Sequence, residues 1–408
     1  MHYSLKRATT WNIAGYIYLI IASLISTPIL VQSLGIDQFA QYGLIIATLG
    51  LVSTFNLGLP QAVTRALSRE HEFSRGRQTL WATSSLLFVL TGLIGAEFAV
   101  IIGTFLRISL SNLILLFGIT LIGSLLGHYS TLPHAEGHFE YFNAKTFIVG
   151  TANTFLAAYI AWKGYSITGI LIGQLLGSFI TLIPLVYFSL KFFPRPRDGK
   201  VSKSVAKSLI AFGLKNQVGT MIGQIQAQYT KYLLAIVSPI SLSAYVIAQG
   251  LVQKLAGGVS QVATALYPAS ARSNQSTFRT LYYQLQIGLF GLGIIGIGVY
   301  HFIGFPFLTW WLHSPELVGV VDSVLRVLVW YFAILVLSPL ASTILDSHGR
   351  PEITSLFAFL TTTIEIVTAL LLFPRYGIFA PAYGALIAIV LTTPALLFTT
   401  ERVLKSTL

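Results

Sequence analysis

The stretch FGLKNQVGTMIGQIQAQYTKYLLAIVS, Phe212 to Ser238, is apolar enough for a membrane, yet it carries Lys215, Gln217, Gln224, Gln226, Gln228 and Lys231. Ammonium groups bind anions such as phosphates and carboxylates, and glutamine amides offer two donors and an acceptor to polar ligands. A lysine near the bilayer centre costs at least about 2.5 kcal/mol, so such groups need polar or aqueous surroundings. On a helix, Gln217, Gln224, Gln228 and Lys231 fall in one narrow stripe, with Lys215, Gly219, Ile222 and Gln226 in the next. Further on, Gln249, Gln253, Ser260 and Thr264 share a face, and Lys254 shares another with Gly250, Gly257 and Gln261. Lipid satisfies none of these groups, so the stripes are expected to face a bundle interior or a water-filled cavity. The expected substrate site is therefore a cationic, amide-rich cavity of Lys215, Lys254, Gln217, Gln224, Gln228, Gln249 and Gln253. The competing reading is glutamines paired across helices and lysines snorkelling to the interface, which suits Lys231, near a span end.

Other residues with chemistry are few. Arg65 and Arg69, one helical turn apart at a span end, would receive phosphate, or simply follow the positive-inside rule. Glu97 and Glu365 lie within spans. Each is a candidate site for coupling to protons or Na⁺, or else a neutral carboxyl hydrogen-bonded to a neighbour. His134, Glu136 and His138 spell H-x-E-x-H, which is not the zincin order, and Pro133 and Gly137 argue against a regular helix there. A loop is expected, not a metal site. No nucleophile triad, P-loop or glycine-rich phosphate cradle is found, so no catalytic residue, no resident cofactor and no ATP hydrolysis are expected.

Composition dictates what must position these groups. The 408 residues are 54% hydrophobic and 9% charged, against roughly a quarter charged in soluble domains. This predicts an all-α integral membrane protein. The absence of cysteine excludes disulfides and thiolate chemistry. The net charge of +12 does not indicate nucleic acid, because the cations sit between apolar spans and form no contiguous basic face.

Helices of about 20 apolar residues cross a bilayer. Spans are predicted near 10–32, 41–61, 80–103, 111–132, 143–162, 167–190, 209–232, 242–266, 284–306, 325–345, 353–373 and 378–400. The longest outward loop is then 306–324. Lys6 and Arg7 run straight into the first span, so no cleavable signal is expected. Trp11, Trp81, Trp162, Trp310 and Trp311 fall near span ends, where interfacial aromatics belong, and His128 and His301 read as interfacial too. Of the 25 basic residues, only Arg107, Lys163, Arg326 and Arg375 fall on one side of the membrane; Lys215, Lys231 and Lys254 lie in or at the edge of spans. The rest, Lys145 among them, fall on the other side, which predicts both termini in the cytoplasm.

A basic connector, KFFPRPRDGKVSKSVAKS, divides the chain into lobes 1–190 and 209–408, with 191–208 as linker. The halves are weakly alike. Tyr42 and Arg69 precede Tyr245 and Arg272 in register, and Gly137 precedes Gly349. Tyr165, Ile167, Gly173 and Thr181 precede Tyr376, Ile378, Gly384 and Thr392. This predicts a parallel duplication of a six-helix unit, a pseudo-two-fold axis along the membrane normal and a central cleft.

Several segments resemble the Wzx-type polysaccharide flippases of the multidrug/oligosaccharidyl-lipid/polysaccharide exporter superfamily. They are NLGLPQAVTRALSRE, EGHFEYFNAKTF, QYTKYLLAIVSPISLSAYVIAQGL, HGRPEITSL and RYGIFAPAYGALIA. Asn56 and Thr230 stand where members of that family often have acids. The resemblance implies translocation of an undecaprenyl-pyrophosphate-linked oligosaccharide from the inner to the outer leaflet of the bacterial cytoplasmic membrane. It implies alternating access, an ion gradient, and a polysaccharide polymerase and chain-length regulator as partners in surface polysaccharide synthesis. The alternatives are a cation-coupled multidrug exporter, a lipid II flippase, and, from another class, a membrane enzyme with a large outward loop.

Overall fold

The computed structural model describes residues 5–70, 74–193, 199–265 and 275–406, which are helical with no strand among them. In chain order the helices are α1 (Leu5–Val52), α2 (Leu59–Leu67), α3 (Arg75–Phe105), α4 (Leu110–Ala135), α5 (Phe139–Thr151), α6 (Ala157–Trp162) and α7 (Ile167–Phe192). They continue as α8 (Lys203–Ala235), α9 (Pro239–Ala265), α10 (Gln275–Val299), α11 (Phe305–Leu312), α12 (Pro315–Leu335), α13 (Ser338–Ser347), α14 (Pro351–Tyr376) and α15 (Ala380–Ser406). π-helical turns join α5 to α6 and α10 to α11, and short 3-10 turns follow α1 and α14. Together they supply the twelve predicted spans. An all-helical chain is what lipid demands, since a helix satisfies its backbone polar groups internally.

Seven stretches are long and apolar enough to cross a membrane, and two of them, Ala14–Asn56 and Pro351–Lys405, have the length for two crossings each. Exposed Ile183 (68%), Leu371 (75%) and Phe302 (84%) show the apolar outside of a multi-pass membrane protein. The polar helices α8 and α9 are not among the seven. Spans one and two are two helical segments of α1 that meet at a kink at Gly35, with no longer connector between them.

The described chain forms two compact units, Met1–Gln224 and Ile225–Leu408. In the first, α3 packs on α4 and α4 on α7, around Leu59, Leu67, Trp81, Phe88, Phe188 and Leu209. In the second, α14 and α15 form a tight antiparallel pair, and α12 packs on α9 and α15. The weak internal likeness has a packing counterpart in each unit. A Cβ on Gly173 would lie 2.5 Å from Ile160, and one on Gly384 would lie 2.7 Å from the backbone oxygen of Glu365. In both units, then, the last span lies tightly on the one before it at the matching glycine. Thr181 and Thr392 both donate to the carbonyl four residues back. Of the other predicted pairs, Arg272 lies outside the described residues.

Four expectations change. The stretch 306–324 is not a loop: α12 starts at Pro315, so only His313 and Ser314 separate it from α11. Asp322 is buried and held by the Tyr300 hydroxyl at 2.7 Å and the Arg326 Nε at 2.8 Å, so its charge does not force the chain into water. Trp81 is a core residue, stacked on Phe193 at 4.8 Å, and Trp311 is buried, whereas Trp162 and Trp310 are exposed at span ends. His128 is buried too, against Trp81, with Nε2 2.9 Å from the Ser85 hydroxyl. Finally, α4 continues through Pro133 to Ala135, so the expected loop begins only at Glu136, where Gly137 has φ at 77°. The side chain of Trp11, and residues 194–198 of the basic connector, lie outside the described residues.

Candidate functional site

In the first unit, the turn before α2 is set by Gly58, with φ at 68°, whose N–H donates to Asn56 Oδ1 at 3.0 Å. That turn aims Arg65 of α2, and Arg69 follows in the turn just past the helix end. Arg65 is exposed and stacks on Phe212 of α8, 4.3 Å from the ring centre. Arg65, Arg69, Arg75 and Glu70 line a pocket of about 670 Å³ together with Thr79 and Phe212. Three guanidiniums face one carboxylate, and Glu70 also accepts a 3.3 Å hydrogen bond from Ser74. Guanidinium forks match phosphate oxygens two at a time. Behind this pocket the buried Arg77 is ion-paired with Glu136, joining α3 to the end of α4.

The same unit holds the first part of α8. Gln217 is buried and donates to the Thr54 carbonyl at 2.8 Å, tying α8 to the turn after α1. Lys215 is exposed between the exposed Leu214 and Val218, and Gln224 is half-buried. Gly213 approaches Gly58 so closely that a Cβ on Gly58 would lie 2.3 Å from the Gly213 oxygen. Glu97 is exposed on α3, beside the exposed Ile94, Phe98 and Ile101.

In the second unit, Glu365 of α14 is 3% exposed. It accepts a 2.6 Å hydrogen bond from Gln226 Nε2 and a 3.1 Å hydrogen bond from the Tyr229 hydroxyl. The tight α14–α15 contact at Gly384 backs it. A buried carboxyl with two neutral donors can carry its charge on hydrogen bonds or take up a proton. One turn beyond, Lys231 donates to the buried Gln228 at 2.6 Å. Lys254 of α9 is half-buried, with Nζ curled back over Gly250 and close enough for its charge to act on Lys231. Gln249 is half-buried, with its side-chain oxygen lacking a partner among the described residues, and Gln253 is exposed.

The structure thus brings Gln228, Lys231 and Lys254 near one another, places Glu365 among α8 side chains, and gives Arg65 two further arginines. Of the other stripe residues, the side chains of Gln261 and Thr264 lie outside the described residues. The pairing of Gln226 and Tyr229 with Glu365 is not among the expectations from sequence. The α8 stripe marks Gln226 as facing something polar, but no sequence signal names a carboxylate 139 residues away. Lys145, counted as a cation of the membrane surface, is half-buried instead, with Nζ 3.3 Å from the Ser130 hydroxyl. Among the described residues no three His, Asp or Glu side chains gather to hold a metal. Glu136 is taken by Arg77, and His138 pairs with Glu140 at 2.8 Å.

A family of polysaccharide biosynthesis proteins matches this chain over residues 5–274. The chain belongs to that family. No curated protein matches this polysaccharide biosynthesis protein. Solved structures do. An inward-facing multidrug-resistance transporter of the MATE family, in the MOP superfamily, superposes with a TM-score of 0.67 at 14% identity, covering 98% of this chain and 96% of that one. A MOP superfamily transporter from Pyrococcus furiosus, described as having a binding pocket of reversed polarity, gives 0.66 at 14% identity, over 98% and 95%. The lipid II flippase MurJ, inward closed, gives 0.64 at 14% identity, over 94% and 87%. This polysaccharide biosynthesis protein therefore has the two-lobed MOP transporter fold.

Proposed function

We propose that the protein is a flippase for undecaprenyl-pyrophosphate-linked oligosaccharide in the bacterial cytoplasmic membrane, with both termini in the cytoplasm. The observation that carries this reading is the pocket of Arg65, Arg69 and Arg75 in a member of a polysaccharide biosynthesis family. The pyrophosphate docks there at the cytoplasmic surface, three cations against one acid. The sugar then meets the amides of Gln217, Gln224, Gln228, Gln249 and Gln253, and Lys215 and Lys254 hold the phosphates during passage through a cleft between lobes 1–190 and 209–408. The polyprenyl tail stays in lipid. Rocking of the lobes changes access, and Glu365, with Glu97 as the second candidate, couples the cycle to H⁺ or Na⁺. A polymerase and a chain-length regulator take the product.

Deletion and add-back test this. Loss of the protein leaves lipid-linked repeat units on the cytoplasmic side and lowers surface polysaccharide. Wild type restores export, and Arg65→Gln/Arg69→Gln/Arg75→Gln reaches the membrane without restoring it. Full rescue by the triple variant overturns the pyrophosphate assignment. Normal polysaccharide after deletion, with drug efflux or lipid II movement lost instead, overturns the substrate class.

A further inference from the structure

We propose that Lys145 anchors a binding site for a monovalent anion, halide or carboxylate, inside the first compact unit. The site does not depend on the flippase reading. A cavity of about 410 Å³ lies among α1, α3, α4, α5 and α7, and Lys145 is the only ionisable side chain among the described residues that line it. Among the described residues its ammonium group has one partner, the Ser130 hydroxyl, which donates its own hydrogen to the Gly127 carbonyl at 2.9 Å. Two of the three ammonium hydrogens remain for a ligand. Among the described residues no carboxylate lies within ion-pair distance of it.

The rest of the wall supplies neutral donors. Asn56 turns its carbonyl oxygen to Gly58 N–H, which leaves its amide hydrogens for the cavity. Asn153 also lines the cavity, and the buried Thr120 hydroxyl has no partner among the described residues. A cation left unpaired in such a place is costly, and an anion among these donors removes that cost. The charge count sets the class. One cation balances one negative charge, whereas a phosphate dianion would leave a negative charge uncompensated in a mostly apolar cavity. Gly123 gives a way to block the space, since a Cβ built there meets nothing within 4 Å.

The test uses the full-length protein in detergent, at constant ionic strength, with sodium isethionate as background. Sodium chloride and sodium acetate are titrated separately while thermal unfolding is followed. Binding to the native state raises the midpoint with saturation. The expected result is a saturable rise of a few degrees with at least one of the two anions, retained in Lys145→Arg and lost in Lys145→Met and Gly123→Leu. Which salt saturates tells halide from carboxylate. No saturable rise in wild type with either salt, or an equal rise in Lys145→Met, overturns the site. Should Lys145→Met fail to fold, Gly123→Leu decides, a rise equal to wild type refuting the site. Where chloride is the saturating salt, bromide-soaked crystals decide as well, an anomalous peak beside Lys145 Nζ upholding the proposal and its absence at saturating bromide refuting it.

Discussion

Gln226 donates a 2.6 Å hydrogen bond to Glu365, joining two helices whose residues stand 139 apart in the chain. Removal of the carboxyl leaves the Gln226 and Tyr229 donors buried without an acceptor, a cost of about 1–3 kcal/mol. Glu365→Gln keeps an acceptor in place, so Glu365→Ala is expected to melt lower than Glu365→Gln in detergent. If Glu365 couples transport to an ion, Glu365→Gln loses the dependence of export on the pH or Na⁺ gradient while its melting temperature stays near wild type. Flux assays in vesicles under imposed gradients read this.

Gly58 and Gly213 form a backbone-on-backbone contact that admits no side chain. Gly58 also has positive φ, a conformation that costs other residues about 1–2 kcal/mol. Gly58→Ala therefore bears both penalties, and Gly213→Ala only the steric one, since its Cβ would lie 2.3 Å from the Leu57 oxygen. Both variants are expected to lose thermal stability, Gly58→Ala the more, measured by unfolding of the detergent-purified proteins. A wild-type melting temperature in Gly58→Ala would refute the contact.

The buried pair Arg77–Glu136 makes a third case. Taking one charge away strands the other, and such losses run to about 3–5 kcal/mol. Arg77→Met is expected to express poorly or melt far lower. The double variant Arg77→Met/Glu136→Gln should recover much of the loss, because no lone carboxylate remains. A double variant as unstable as Arg77→Met would mean that packing of Arg77 near Phe192 and Phe193 matters more than its charge.

The phosphate reading of the arginine pocket has its own signature. If Arg65, Arg69 and Arg75 act through charge, binding of a short-chain polyprenyl pyrophosphate weakens as salt rises. Arg65→Lys keeps part of the affinity and Arg65→Gln loses more, since lysine retains the charge but not the planar fork. Fluorescence titration of a labelled lipid at two ionic strengths separates the two; identical affinities for Arg65→Gln and wild type would remove Arg65 from the site.

The twelve helical spans were legible largely because a bilayer imposes a length and a polarity that hydropathy reads directly, although the polar α8 and α9 are not among the stretches long and apolar enough to cross. The reading broke where a charge was satisfied by a partner. Asp322 looked like a loop residue, yet Tyr300 and Arg326 hold it within α12. Trp81 and His128 looked interfacial, but they stack on each other in a core. For the candidate site, periodicity marked α8 and α9 as polar-faced, while position at a span end or within a span singled out Arg65 and Glu365 as candidates. Neither could name partners, because Gln226 with Glu365 and Lys145 with Ser130 depend on tertiary placement. The arginine pocket was half visible: Arg65 and Arg69 stand four residues apart at a span end, but Arg75 joins them only through the start of α3.

Gly35 bends α1 with φ at 72° and ψ at 169°, a backbone shape essentially confined to glycine. No slack chain separates the first two crossings, so they are geared together. Adding or deleting one residue near this corner turns everything downstream on α1 by about 100° about its axis. Such a change would swing Tyr42, now bonded to Gln174 at 2.8 Å, off its partner. The corner should therefore tolerate an altered side chain on its neighbours far better than an altered length, whereas an ordinary surface hairpin accepts both.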